Sequence, residues 1–352
     1  MTGLPIRARK VMRAAVVFCA GSVTLILLVA ATLLFLPQFW RPAQPPHTVV
    51  IARGMSTTQI ASLLMKEDVL SNRVAFLLAV KLLRAEGRLK AGKYQLSPQY
   101  APVTIVNLLR RGKVTAERVT IPEGADSWTI ASILSRTVQV DSAAFVRLMH
   151  DSTLMATLGL CAPSLEGYLY PNTYQFYWGV SPEAAIRAMV AEFRRQVGDT
   201  IEAQARAMGW SLHQVVTLAS IIEGEAMLEE ERPLISAVYH NRLRLRMPLQ
   251  ADPTVQYLVP GRGRRLLKSD LAIDSPYNTY LYPGLPPGPV NNPGMRSIVA
   301  ALHPAPVDYL YFVARGDGGH VFSRTLREHL RAKAQFDQVR RRVAHAGGGR
   351  NR

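Results

Sequence analysis

The sequence predicts an α+β protein behind a single N-terminal transmembrane helix, its main domain mixed α+β with a mainly helical first part. Three observations lead there. Residues 14–36 run for 23 positions without a charge. Two segments offset by 70 residues repeat a strand, a glycine turn and a capped helix. Further on, an apolar helix carrying two glutamates leads into loops rich in Pro, Gly, Asn and Tyr, and these lead into a hairpin.

The apolar run comes first. A bilayer core of about 30 Å needs roughly 20 helical residues, and Ala14 to Leu36 supplies them. Arg7, Arg9, Lys10 and Arg13 precede it, which predicts a cytoplasmic N-terminus and a single pass of the inner (plasma) membrane, with the remainder periplasmic or otherwise extracytoplasmic. A cleaved signal peptide is the alternative. The run is longer than a signal's apolar core, and no clean small-x-small site closes it before Pro37. The 352 residues are 48% hydrophobic and 19% charged, which excludes wholesale disorder. The net charge of +17 suggests nucleic acid, but 11 of those charges sit in the first 13 and last 29 residues. The interior is not a basic protein, and no nucleic-acid partner is expected. Cys19 lies in the membrane run and Cys161 alone beyond it, so no internal disulfide is available to the exported part.

A Pro-rich spacer, 37–47, comes next, with Trp40 suited to the membrane interface. Then comes the repeat. Residues 49–64 overlay 119–134 at matching Val, Ile, Gly, Ile-Ala-Ser and Leu positions, each copy with a Ser/Thr/Asp helix start. Gly92 to Leu96 reads as a strand between them, and Thr104 to Leu109 as a short helix. This predicts one small module over 48–135 that holds the main domain away from the membrane or touches glycan weakly. Residues 142–208 read as mainly helical, interrupted by Glu166-Gly-Tyr-Leu-Tyr-Pro-Asn-Thr-Tyr174. Its tyrosines suit sugar faces and core capping equally. A strand at Tyr309 to Val313, a turn at Asp317 to His320 and a returning strand at Val321-Phe322 form the hairpin.

Chemistry narrows to one helix. The chain has no phosphate loop, no His-Glu-x-x-His, no dinucleotide fingerprint and no nucleophile elbow. No metal or cofactor is expected, and its scattered histidines read as structural or surface groups. In Val215 to Ala226, Glu223 continues the face of Ala219 and Val216, and Glu225 that of Ile221 and Leu218. A carboxyl on an apolar face is costly unless used, and partial burial raises its pKa towards that of a general acid. Periodicity alone favours slightly a solvated helix end beside Glu229, Glu230 and Glu231. The loops after Asn241, with Gln250, Asp252, Tyr277, Asn278 and Tyr280, shift the balance towards an acid beside a Tyr/Asn/Gln-lined groove, which suggests glycosidic-bond chemistry.

Those residues also carry a resemblance. Ala219-Ser-Ile-Ile-Glu-Gly-Glu225, Glu231-Arg232, Asn241-Arg-Leu243, Leu249-Gln-Ala-Asp-Pro-Thr-Val255, Tyr277-Asn-Thr-Tyr280, Gly284-Leu-Pro-Pro-Gly288 and Tyr309-Leu-Tyr-Phe-Val313 with Gly318-Gly-His320 resemble the endolytic murein transglycosylases of the YceG-like family. The likeness covers nearly the whole chain. It implies a LysM-like module over 48–135, a catalytic domain over 136–340 and a basic flexible tail over 341–352. It also implies lytic cleavage of the MurNAc–GlcNAc bond in peptidoglycan glycan strands, leaving 1,6-anhydro ends. By the resemblance Glu223 is the single general acid and base. Gly224 departs from the pattern and is expected to loosen the helix end. Glu225, Gln250, Asp252, Tyr277, Asn278 and Tyr280 are the expected glycan contacts or supports. Cell-wall synthases (penicillin-binding proteins) are implied partners. Two other readings stay open: a hydrolytic muramidase with Asp252, Glu225 or Glu231 as second carboxylate, and a non-catalytic wall-binding scaffold.

Overall fold

The computed structural model describes residues 6–36, 44–112, 116–259 and 264–347. The spacer residues 37–43, Trp40 among them, lie outside the described residues. The chain divides into two compact units, one of residues 1–117 with 177–179, the other of 118–176 with 180–352.

The first unit opens with α1 (Ile6–Phe35). Its stretch Val16–Phe35 has a mean hydropathy of 2.5 and is the one helix among the described residues long and apolar enough to cross a membrane. Then come β1 (His47–Ile51), α2 (Thr57–Lys66), α3 (Arg73–Leu82), β2 (Gly92–Leu96) and α4 (Pro102–Arg111). β1 and β2 pair antiparallel, His47 opposite Leu96 and Ile51 opposite Gly92. Alternation decides which side chains go inward: Val49 and Ile51 of β1 meet Tyr94 and Leu96 of β2 in a core closed by Ile60, Leu64, Phe76 and Ile105. Ser56 starts α2 with a reciprocal cap to Gln59.

The second unit holds β3 (Ala116–Thr120), α5 (Ser127–Val138), α6 (Ser142–Leu148), α7 (Ser152–Thr157), β4 (Thr173–Tyr177), α8 (Pro182–Ala207), α9 (Leu212–Glu225), α10 (Arg232–Arg244), α11 (Asp252–Gln256), α12 (Met295–Leu302), β5 (Tyr311–Ala314), β6 (His320–Ser323) and α13 (Leu326–Gly347). β3 pairs with β4, and β5 with β6. Mixed α+β is therefore right, with helices dominant and, among the described residues, sheets of two strands. Gly198 breaks the helical backbone within α8.

Both copies of the repeat are strand, left-handed glycine and capped helix: Gly54 has φ +82° and Gly124 +73°. The copies nonetheless belong to different units, because the division falls at 117/118 rather than at 135. β1 finds its partner in β2, whereas β3 pairs with β4. The basic tail also differs from expectation. α13 carries residues 341–347 in helix, started by a reciprocal cap in which Thr325 and Glu328 accept each other's backbone N–H. Residues 348–352 lie outside the described residues.

Candidate active site

α9 is the axis of the second core. Val215 to Ile222 are all buried, and Ser211 with Gln214 caps the helix reciprocally. Loops are pinned to it by buried polar groups. The Ser220 hydroxyl accepts from Val290 N–H (3.0 Å), and the Asn291 amide donates to the Ser220 carbonyl (2.8 Å). Asn292, fully buried, donates to Glu166 (2.7 Å) and to the Ala125 carbonyl, and it accepts from Gly167 and Leu169 N–H. Glu166 also accepts from Ser127 N–H. Gly167 is required here, because a Cβ would lie 2.4 Å from Pro289. The Glu166-Gly-Tyr-Leu-Tyr motif is thus a core clasp. Tyr168 and Tyr170 are buried, and the Tyr168 hydroxyl donates to His213 Nδ1, whose Nε2 donates to the Pro287 carbonyl.

The C-terminal end of α9 meets a polar cleft of about 430 Å³, lined by Glu225, Arg242, Gln250, Asp252, Tyr280 and His320 among others. The Tyr239 hydroxyl donates to Glu225 Oε1 at 3.3 Å. Burial first, and the Asp252 charge second, push the Glu225 carboxyl up to about 7. Asp252 accepts from the Tyr280 hydroxyl at 2.6 Å. Tyr280 itself is raised by burial and by that carboxylate. Gly224 makes this packing feasible: a Cβ there would lie 2.6 Å from Pro253 Cγ. Its lack of a side chain admits the start of α11 rather than loosening α9, which continues through Glu225.

Glu223 lies elsewhere. Its side chain is 6% exposed and pairs with Arg232 at 3.2 Å. Oε2 accepts from Gly294 N–H at 3.1 Å. Arg232 also donates to Ser297 Oγ, so the pair ties α9 to the start of α10 and to α12. Glu223 is not among the residues lining the polar cleft; its carboxyl is turned instead towards Arg232 and the Gly294 N–H.

Of the remaining expected residues, the structure brings together Glu225, Gln250, Asp252 and Tyr280. Asn278 is fully buried, donating to the Leu271 and Ile273 carbonyls and accepting from Tyr280 N–H. It shapes the loop instead of facing the cleft. Tyr277 packs against Tyr257 and likewise does not line it. Two basic lining residues lay within quoted motifs without being singled out. Arg242 holds the Leu249 and Leu310 carbonyls and lies over the Tyr311 ring. His320 Nδ1 donates to Glu231 Oε2 at 2.7 Å. The signal for His320 was its place after Gly318-Gly319; read as a lone histidine, it carried none. Among the described residues no group of His, Cys, Asp and Glu is arranged to hold a metal ion.

Comparison with known proteins gives this geometry a context. The model of the YceG-like family matches residues 49–335. A Bacillus subtilis protein named endolytic murein transglycosylase is 38% identical over 302 residues, covering 81% of this chain and 83% of its own length. A Streptococcus pneumoniae protein of the same name is 28% identical over 326 residues; the match spans 81% of this chain and 59% of that one. The crystal structure of a yceG-like protein from Listeria monocytogenes is 37% identical with a TM-score of 0.57, over 81% of this chain and 98% of that chain. With the family model spanning most of its length, from the first strand into α13, the chain belongs to the YceG-like family.

Proposed function

We propose that this protein is a membrane-anchored endolytic murein transglycosylase that cuts the MurNAc–GlcNAc bond within glycan strands, with Glu225 as its general acid. One observation carries the assignment of the acid. Glu225 lies in a polar cleft with its pKa raised to about 7, so a large fraction is protonated near neutral pH, as a proton donor requires. Glu223, paired with Arg232 and bonded to Gly294 N–H, is the positioning residue that holds the end of α9. The relatives' names supply the substrate class.

Protonated Glu225 donates to the glycosidic oxygen as the C1–O bond breaks. The muramoyl C6 hydroxyl oxygen then closes on C1, giving a 1,6-anhydro ring and releasing its proton to a base in the cleft. Ring closure beats water by proximity. Gln250, Asp252 and Tyr280 contact the glycan or orient the acid. Arg7, Arg9, Lys10 and Arg13 keep the N-terminus in the cytoplasm, so the chain beyond α1 lies outside it. The β–α–α–β order of the first unit supports reading it as a LysM-like spacer.

The test is digestion of purified peptidoglycan by the full chain in detergent, with the fragments identified by mass spectrometry. Anhydro-ended glycan is expected. Reducing ends alone would select a hydrolase with Asp252 as second carboxylate, and intact glycan would select a wall-binding scaffold.

A further inference from the structure

We propose that His320, oriented by Glu231, is the base that takes the C6 hydroxyl proton, so that acid and base are two different groups. The proposal rests on the transglycosylase reading above and goes beyond it.

Glu231 is 7% exposed and commits both oxygens to one residue: Oε1 accepts from His320 backbone N–H at 2.8 Å, and Oε2 from the ring Nδ1–H at 2.7 Å. The ring is also fixed by edge contacts with Phe312, at 5.2 Å between centroids, and with Phe322, at 6.2 Å. Gly319 permits the approach, because a Cβ there would lie 3.0 Å from Glu231 Oε1. The pairing is held firmly, because leaving the buried Glu231 carboxylate without a partner would cost several kcal/mol. What the arrangement does supply is a defined tautomer. With Nδ1–H given to Glu231, a neutral imidazole presents Nε2 as a proton acceptor, and Nε2 makes no hydrogen bond among the described residues. His320 lines the same cleft as Glu225. A carboxylate orienting a histidine that acts as base is a recurrent catalytic arrangement.

The step balances within the chain and substrate. The O6–H bond breaks and its proton moves to Nε2, while O6 bonds to C1. The C1–O4 bond breaks, and O4 takes the proton of Glu225. The imidazolium formed is stabilised by the Glu231 carboxylate and returns its proton to the Glu225 carboxylate, resetting both groups without consuming water.

His320→Asn is the discriminating variant, because its amide retains a donor towards Glu231 while Nε2 is deleted. In the full chain in detergent, turnover is expected to fall about 10²- to 10⁴-fold, and the fraction of reducing ends among the residual products to rise as water replaces the unassisted hydroxyl. Glu231→Gln, which leaves Nε2 in place but loosens its orientation, is expected to move the product ratio the same way with a smaller loss of turnover. A structural role would lower all products together at an unchanged ratio, and that outcome, or near wild-type turnover in His320→Asn, overturns the proposal while wild-type anhydro ends leave the transglycosylase reading standing. Wild-type protein that makes no anhydro ends overturns the reading beneath it. If His320→Asn does not fold, Glu231→Gln decides by the same product ratio.

Discussion

Replacing Glu225 by Gln separates the chemistry of the cleft from its stability. The amide is nearly isosteric and still accepts from the Tyr239 hydroxyl, now 3.3 Å from Oε1, so the fold is retained. Proton donation is lost, and turnover is expected to fall about 10²- to 10⁴-fold. Stability moves the other way. In the folded protein the carboxyl titrates at about 7 against an ordinary 4.5. Between those values the native state holds a proton that the unfolded chain has released, so native stability falls as pH rises through the window and levels off above about 7. At about 1.4 kcal/mol per pH unit the penalty reaches about 3 kcal/mol by pH 8.

Glu225→Gln lacks that titration. Its stability relative to wild type should therefore improve by about 3 kcal/mol between about pH 4 and pH 8. Urea unfolding of both proteins at several pH values reads the difference directly, and the carboxyls common to both cancel. A difference that stays flat across pH, or turnover within tenfold of wild type, would refute the assignment of Glu225 as a half-buried, protonated acid.

The same contacts lead to four further outcomes. Wild-type kcat should show an alkaline limb near pH 7, because the donor is lost as Glu225 ionises; a pH–rate profile flat to about pH 9 speaks against it. Glu223→Gln leaves Arg232 buried with its charge uncompensated and should cost about 3–5 kcal/mol, yet retain turnover per folded molecule within about tenfold; denaturation paired with activity normalised to folded protein checks both. Gly224→Ala drives a Cβ against Pro253, which should cost about 1–3 kcal/mol and reduce activity by displacing Asp252; a variant as stable as wild type would show that α11 gives way freely. Asn292→Ala removes one donor to Glu166 and the shared acceptor of the Gly167 and Leu169 N–H groups and should cost at least about 3 kcal/mol, measured by thermal or urea unfolding.

What the sequence made legible was local. The membrane-grade run, the caps of the two repeat helices at Ser56 and Asp126 and the β5–β6 hairpin depend on neighbours within a few residues, and pattern reports such features well. The choice between Glu223 and Glu225 is of another kind. Two residues apart on a helix, they point about 200° from each other, and both continue an apolar face, so periodicity ranks them equally. What separates them is long-range. Arg232 and Gly294 take up Glu223 on one side, while Asp252 and Tyr239 meet Glu225 on the other. The repeat shows the same limit: cap and glycine chemistry made 49–64 and 119–134 alike, but membership in a unit was decided by strand partners β2 and β4, beyond the reach of either segment. Asn278 and Asn292 complete the argument. Asn278 reads as a sugar contact, yet here its amide satisfies the Leu271 and Ile273 carbonyls, as that of Asn292 satisfies the Ala125 carbonyl and the Glu166 carboxylate. A polar residue in a turn-rich segment therefore marks a groove only when its hydrogen-bonding groups are left over after the loop has been built, as, among the described residues, the Gln250 amide and His320 Nε2 are.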